Sequence, residues 1–243
     1  MRKIAFFVEG ASELLFVERL INEVANLKEV FITKKKIRGG GKSGIHPKRI
    51  TEYDGVRELG DETFYVLIYD CGGDHLVASR IKEEHSNLTN AGYEKIVGIR
   101  DVRPDFEKAD VPRLAKVMSS VVDKTLAPVV FVLSTMEVEA WFLAEHNHFE
   151  KIHPELNSQL IMDSLGFDPR TFIVSDRTHP SQDLQRSYSL KGVVYDKYSV
   201  QNTVDKLDFA FIYSELVSSI PELATLAGTV DTFLTKPAEV VAE

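Results

Sequence analysis

Cysteine is almost missing from this sequence: its 243 residues include one, Cys71, and one tryptophan, Trp141. A lone cysteine excludes an internal disulfide and fits a reducing, cytoplasmic setting. Long apolar runs are missing too. None reaches the roughly 18 residues that suggest a membrane span, so no membrane partner is expected. Nor is there an excess of positive charge. The formal net charge is −8, which excludes a uniformly basic surface but allows a basic strip on an acidic body. Internal repeats and low-complexity tracts are not found. What remains is ordinary for a globular chain, 44% hydrophobic and 27% charged, and long enough for one large core or a core with an appendage. The opening stretch "MRKIAFFVEG" places basic residues ahead of apolar ones, yet Glu9 interrupts the run early. It therefore reads as a buried first strand and not as a signal peptide.

Basic residues gather in "KKKIRGGGKSGIHPKR", residues 34–49. Gly41-Lys42-Ser43 would end a P-loop, but the opening glycine falls at Lys36. The following "GIHPKRITEYDG" carries Pro47 and little helical periodicity, whereas a P-loop feeds an apolar helix. The pattern thus departs from a nucleotide-binding switch on residues 39–44. It reads instead as a glycine-loosened loop presenting Lys34, Lys35, Lys36, Arg38, Lys42, Lys48 and Arg49. Such a run is either a solvated charged surface or a strip that follows a phosphate backbone, gaining affinity by counterion release.

Along the chain, short apolar runs alternate with amphipathic stretches. "KIAFFV" (3–8), "EVFITKKKI", "TFYVLIYD" (63–70), "YEKIVGIRD" (93–101) and "APVVFVLS" (127–134) read as strands. Between them, Ser12 can cap a helix whose apolar face carries Leu14, Val17, Leu20, Ile21, Val24 and Leu27. Further helices are expected at Leu76–Ile81, over 110–124 and at "EVEAWFLAEH". This alternation predicts an α/β core, a mainly parallel sheet flanked by helices, over residues 1–148. From 149 to 243 prolines break the chain and strand-like runs are few. "NSQLIMDSLGF" and "NTVDKLDFAFIYSELVSSI" read as helices, giving a mostly helical C-terminal region packed on the core.

In open parallel sheets, ligands bind beyond the carboxyl ends of the strands. The first strand here ends at Glu9, the third at Asp70 with Asp74 just beyond, and the next near Asp101. The last is followed by Glu137 and Glu139. Acids gathered at one edge repel, and a hard divalent cation such as Mg²⁺ relieves that repulsion through oxygen ligands. Taken singly, each acid is also explained as a strand-end or helix-capping residue, and Asp101 as a partner of Arg100 or Arg103.

Two stretches carry a likeness. "FFVEGASE" resembles the first motif of Toprim domains, a glutamate-glycine turn between a strand and a helix. "LIYDCGGD" resembles their second, an Asp-x-Asp after a later strand. With "EVEAWFLAEH", "THPSQDLQRSY" and "VVYDKYS", nearly the whole chain is similar to a bacterial Toprim-like family of uncharacterised function, distantly like the OLD-family nucleases. The resemblance implies a Toprim-like fold and Mg²⁺- or Mn²⁺-dependent cleavage of phosphodiester bonds in DNA or RNA. It implies Glu9 as general base or metal ligand, and Asp70 as the first aspartate, serving catalysis and metal binding. The second aspartate position holds Gly72, with Asp74 as its nearest replacement; Glu139 would complete the metal shell, ahead of Glu137. Lys42 is the candidate cation for the transition state, with Lys191 and Lys197 as alternatives. The family is thought to accompany ATPases in phage-defence loci, so an ATPase partner, a nucleic-acid partner and a homodimer are the associations considered. Gly72 in an acid's place keeps open a second reading, a non-catalytic nucleic-acid-binding or regulatory subunit. His146, His148 and His153 match no common zinc spacing and read as a surface loop. Cys71 reads as a buried turn residue, and Trp141 as a core anchor.

Overall fold

The computed structural model describes residues 1–39, 47–52, 64–103, 105–171, 173–196 and 198–235, without the side chain of Asp74. Lys42, Lys197 and most of the glycine-rich stretch therefore lie outside the described residues.

Strands β1 (Arg2–Val8), β2 (Val30–Arg38), β3 (Arg49–Glu52), β4 (Phe64–Asp70), β5 (Lys95–Asp101) and β6 (Val129–Ser134) form one sheet in the order β3-β2-β4-β1-β5-β6. All neighbours pair in parallel except β3, which runs antiparallel to β2 at the edge. The central strands are continuous apolar runs because both faces are covered. Ile4, Phe6, Val8, Val66 and Ile68 point into one core, and Ala5, Phe7, Leu67 and Tyr69 into the other, with the period of two that a pleated strand dictates.

The first face is covered by α1 (Ala11–Ala25) and by later helices. The second is covered by α2 (Val77–Asn90) and α3 (Val111–Ser120). Gly98 on β5 lets α2 and β6 close in: a β-carbon there would stand 2.7 Å from Ile81 Cδ1 and 2.8 Å from Phe131 Cδ1. After β6 the chain is helical, through α4 (Glu139–Ala144), α5 (His148–Ile152), α6 (Ser158–Leu165), α7 (Pro180–Ser189), α8 (Val200–Val204), α9 (Phe209–Ser214) and α10 (Pro221–Leu234). Leu184, Tyr188, Val204, Phe209, Leu223 and Leu226 join Ile4, Phe16 and Trp141 in one hydrophobic cluster. Each such fully buried side chain contributes about 1.5–3 kcal/mol. Trp141 packs on Phe16 with ring centroids 5.3 Å apart, in the anchoring role read from the sequence.

Three expectations need correction. The stretch from Asn202 to Ile220 is not one helix: Asp208 caps a new one by accepting the Phe211 N–H at 3.0 Å, which separates α8 from α9. Lys34–Arg38 belong to strand β2, as the strand read over "EVFITKKKI" has it, and not to the loop said to present them, because pairing with β4 runs in register as far as Lys36. Ser12 does not cap α1. Ala11 already begins the helix, and Gly10 sits at the cap. Among the described residues, no helix is long and apolar enough to cross a membrane.

Candidate metal centre

The parallel register aligns the strand ends. Val8 lies level with Asp70, Phe7 with Gly98, and Asp101 with Ser134, so Glu9, Asp70 and Asp101 emerge at one edge of the sheet. The end of β1 is stitched to the turn after β4: the Glu9 carbonyl accepts the N–H groups of Gly72 and Gly73 at 3.0 and 2.9 Å. Those residues take φ of +79° and +153°, which a β-carbon would oppose. The turn is thus built for glycine, and it fixes where Glu9 leaves the sheet.

Three carboxylates then converge. Glu9 Oε1 accepts the backbone N–H of Asp101 at 2.6 Å. Glu13, in the first turn of α1, reaches back to accept the Gly10 N–H through Oε2 at 3.0 Å. One oxygen from each of Glu9, Glu13 and Asp101 lies within 4.8 Å of the others, and all three residues are buried. Among the described residues this is the one such grouping of His, Cys, Asp or Glu. The N-terminus of α1 adds a favourable dipole for negative charge, but among the described residues no Lys or Arg is ion-paired with the Asp101 carboxylate. Its Oδ1 is buried without a hydrogen-bond partner among the described residues. The arginine pairings considered for Asp101 are not made: Arg100 turns to Asp105 at 3.5 Å, and Arg103 to Glu107.

Charge crowding follows. Burial holds the Asp101 carboxyl well above the ordinary carboxylate range, with Glu13, Glu9, Glu139 and Glu137 pushing it further. Glu139 is also raised, by burial first, although hydrogen bonds from Tyr195 (2.7 Å) and Ser12 (3.1 Å) to its Oε1 oppose the shift. Glu137 accepts the Ser181 N–H at 2.9 Å, and neither Glu137 nor Glu139 belongs to the grouping of Glu9, Glu13 and Asp101. An oxygen-only set of buried, mutually repelling carboxylates, one with an orphaned oxygen, fits a hard divalent cation such as Mg²⁺ or Mn²⁺.

The other candidates are placed differently. Asp70 lines the same cleft as Glu9 and Glu13, a space of about 330 Å³, but it stands outside the triad. Its Oδ2 is ion-paired with Lys36, and its Oδ1 accepts the Gly72 N–H at 2.9 Å. Lys191 pairs with Glu155 at 2.6 Å and takes no part in the cleft. The basic strip is largely neutralised: Lys34 pairs with Glu18, Lys35 with Glu52, Lys36 with Asp70, and Lys48 with Glu83 and Glu84. Arg38 and Arg49, cross-strand neighbours on β2 and β3, have no carboxylate partner among the described residues. His148 is fully buried against Glu145, which overturns its surface-loop reading. His153 Nδ1 accepts the Glu155 N–H at 3.2 Å. Cys71 is fully buried, and burial pushes its thiol far up.

Sequence reasoning missed Glu13, and it placed Lys36 in the basic strip without its partner Asp70. A glutamate three residues after Gly10 has the spacing of a capping residue, and it does cap. Its second role emerges only when Asp101 is brought beside it. No family model, curated protein or solved structure matches the chain.

Proposed function

We propose that this chain is a divalent-cation-dependent nuclease that hydrolyses phosphodiester bonds at the edge of the sheet where Glu9, Glu13 and Asp101 meet. One observation carries the reading: a buried Asp101 carboxylate whose Oδ1 has no hydrogen-bond partner among the described residues, within reach of two other buried acids. The likeness of "FFVEGASE" and "LIYDCGGD" to Toprim motifs points the same way, and with it go Mg²⁺ or Mn²⁺, a cytoplasmic setting, an ATPase partner and a role in phage defence.

Glu9, Glu13 and Asp101 would hold the ion, and Glu139, fixed by Tyr195 and Ser12, adds its charge to the field on Asp101. Such an ion polarises a phosphoryl oxygen and lowers the pKa of a bound water. The chain supplies the rest. Lys36, exposed to about a quarter of its side-chain surface, presents positive charge at the cleft mouth, where charge builds on a phosphoryl group. The cleft shares Lys36 and Gly72 with a neighbouring groove of about 590 Å³ lined by Arg38, His75 and Arg80. Arg80 is buried and paired with Glu83, so Arg38 and Lys36 are the groove cations that would meet a polyanion whose backbone runs through it while one phosphate sits at the acids. Nucleic acid is the polyanion we infer.

The Lys36–Asp70 pair, with Gly72 where a second acid would stand, favours one alternative: a nucleic-acid-binding or regulatory subunit without turnover. Plasmid DNA and RNA incubated with Mg²⁺ or Mn²⁺ separate the readings. We expect cleavage by the wild type, and loss of at least about a hundredfold in Glu9→Gln and Asp101→Asn, the scale of removing one charge-stabilising group. Equal cleavage by all three proteins refutes the site. Salt-sensitive binding without cleavage supports the subunit reading.

A further inference from the structure

The two aspartates at the sheet edge are in opposite states. Asp101 has an oxygen with no hydrogen-bond partner among the described residues, whereas each Asp70 oxygen is engaged: Gly72 N–H serves Oδ1 at 2.9 Å, and the Lys36 ammonium serves Oδ2. The Lys36 contact is not a chance reach of a long side chain. Lys36 and Asp70 are register partners on adjacent parallel strands, so the pleat sends both side chains to the same side at the same level. Asp70 is nearly fully buried, and stripping the ammonium away would leave its charge uncompensated in a poorly solvated place.

Gly72, where a second acid would stand, brings no side-chain donor of its own, and the acids that share the cleft with Asp70 are Glu9 and Glu13. Gly72 takes φ +79°, and a β-carbon there would lie 3.5 Å from the Ile37 carbonyl oxygen. A carboxylate at that position would be strained, and the turn instead spends its N–H on Asp70. Lys36 is also the cation common to the acid cleft and the basic groove, because it lines both.

We propose that the cleft binds one divalent ion, at Glu9, Glu13 and Asp101, and that the Lys36 ammonium permanently holds the place of a second ion at Asp70. This rests on the metal-dependent reading above and specifies it. A fixed single positive charge replaces an exchangeable double one, so one face of a bound phosphate meets the ion and the other meets Lys36.

The test is Mn²⁺ stoichiometry and affinity, measured on the full chain by equilibrium dialysis with electron paramagnetic resonance of free Mn²⁺. The wild type is expected to bind one ion, Lys36→Arg one, and Lys36→Met two, the added ion disappearing in Lys36→Met with Asp70→Asn. Asp70→Asn alone should weaken binding by less than about threefold. Asp101→Asn should weaken it by at least about tenfold, because even partners beyond the ligands are worth about 10–100-fold. Two ions in the wild type, or one in a folded Lys36→Met, overturns the proposal and leaves the metal centre standing. No ion in the wild type overturns both. Should Lys36→Met fail to fold, the wild-type count and the Asp70→Asn affinity decide: a tenfold loss in Asp70→Asn makes Asp70 a ligand and ends the proposal.

Discussion

Replacing Asp101 by asparagine keeps the side chain's size and removes one charge from a crowded, buried set. The backbone N–H that Glu9 Oε1 accepts at 2.6 Å is untouched, and the new amide can donate to an acid beside it. The carboxyl it replaces is held up by burial and by Glu13, Glu9, Glu139 and Glu137, so its removal relieves repulsion in the metal-free fold. Relief at a functional site of this kind is worth about 0.5–2 kcal/mol. For a chain of this length, each kcal/mol moves the melting temperature by about 2–4 °C. In EDTA, Asp101→Asn should therefore melt roughly 1–8 °C above the wild type. Metal acts in the opposite direction. Mn²⁺ at about a hundred times its Kd stabilises the wild type by about 2.7 kcal/mol, or roughly 5–11 °C, and should leave the variant nearly unmoved. Differential scanning fluorimetry in EDTA and in Mn²⁺ reads both effects. A variant that melts below the wild type in EDTA, or that keeps the wild-type response to Mn²⁺, refutes the reasoning.

Other consequences follow from the same interior. Asp101 and Glu139 hold their protons to higher pH when folded than when unfolded. Below the ordinary carboxylate range both states are protonated and there is no penalty. As pH rises from that range through the raised values, the unfolded chain releases protons first, so metal-free stability falls. Urea unfolding in EDTA at pH 5 and pH 8 should show a smaller fall for Asp101→Asn than for the wild type; equal slopes contradict the shift. Gly98→Ala would press a β-carbon to 2.7 Å from Ile81 and 2.8 Å from Phe131, and should destabilise by about 1–3 kcal/mol in urea; a neutral result means that α2 and β6 have room to part. Cys71, fully buried with its thiol pushed up, should react with an aromatic disulfide reagent only as fast as the chain unfolds; rapid native labelling contradicts its placement.

Much of this was legible in the sequence. "KIAFFV" and "YVLIYD" are apolar without alternation, which only strands covered on both faces require. Once the sheet is parallel, Glu9, Asp70 and Asp101 must share an edge. What was hidden depends on which elements become neighbours. The Lys36–Asp70 pair requires β2 beside β4 in one particular register. The basic strip looked free because its partners Glu18, Glu52, Glu83 and Glu84 come from three other elements, α1, β3 and α2. Glu13 was masked by a local role that fully accounts for its spacing. The break between α8 and α9 turns on Asp208 competing for a backbone N–H inside an otherwise periodic stretch, a choice that periodicity alone does not register.

The central claim is that acids distant in the chain close around a divalent ion, and an anomalous difference map from Mn²⁺-soaked crystals tests it most directly. The account predicts a peak in contact with carboxylate oxygens of Glu9, Glu13 and Asp101, with Lys36 still on Asp70. A map without density among those three side chains, or with a peak at Asp70 alone, would contradict it.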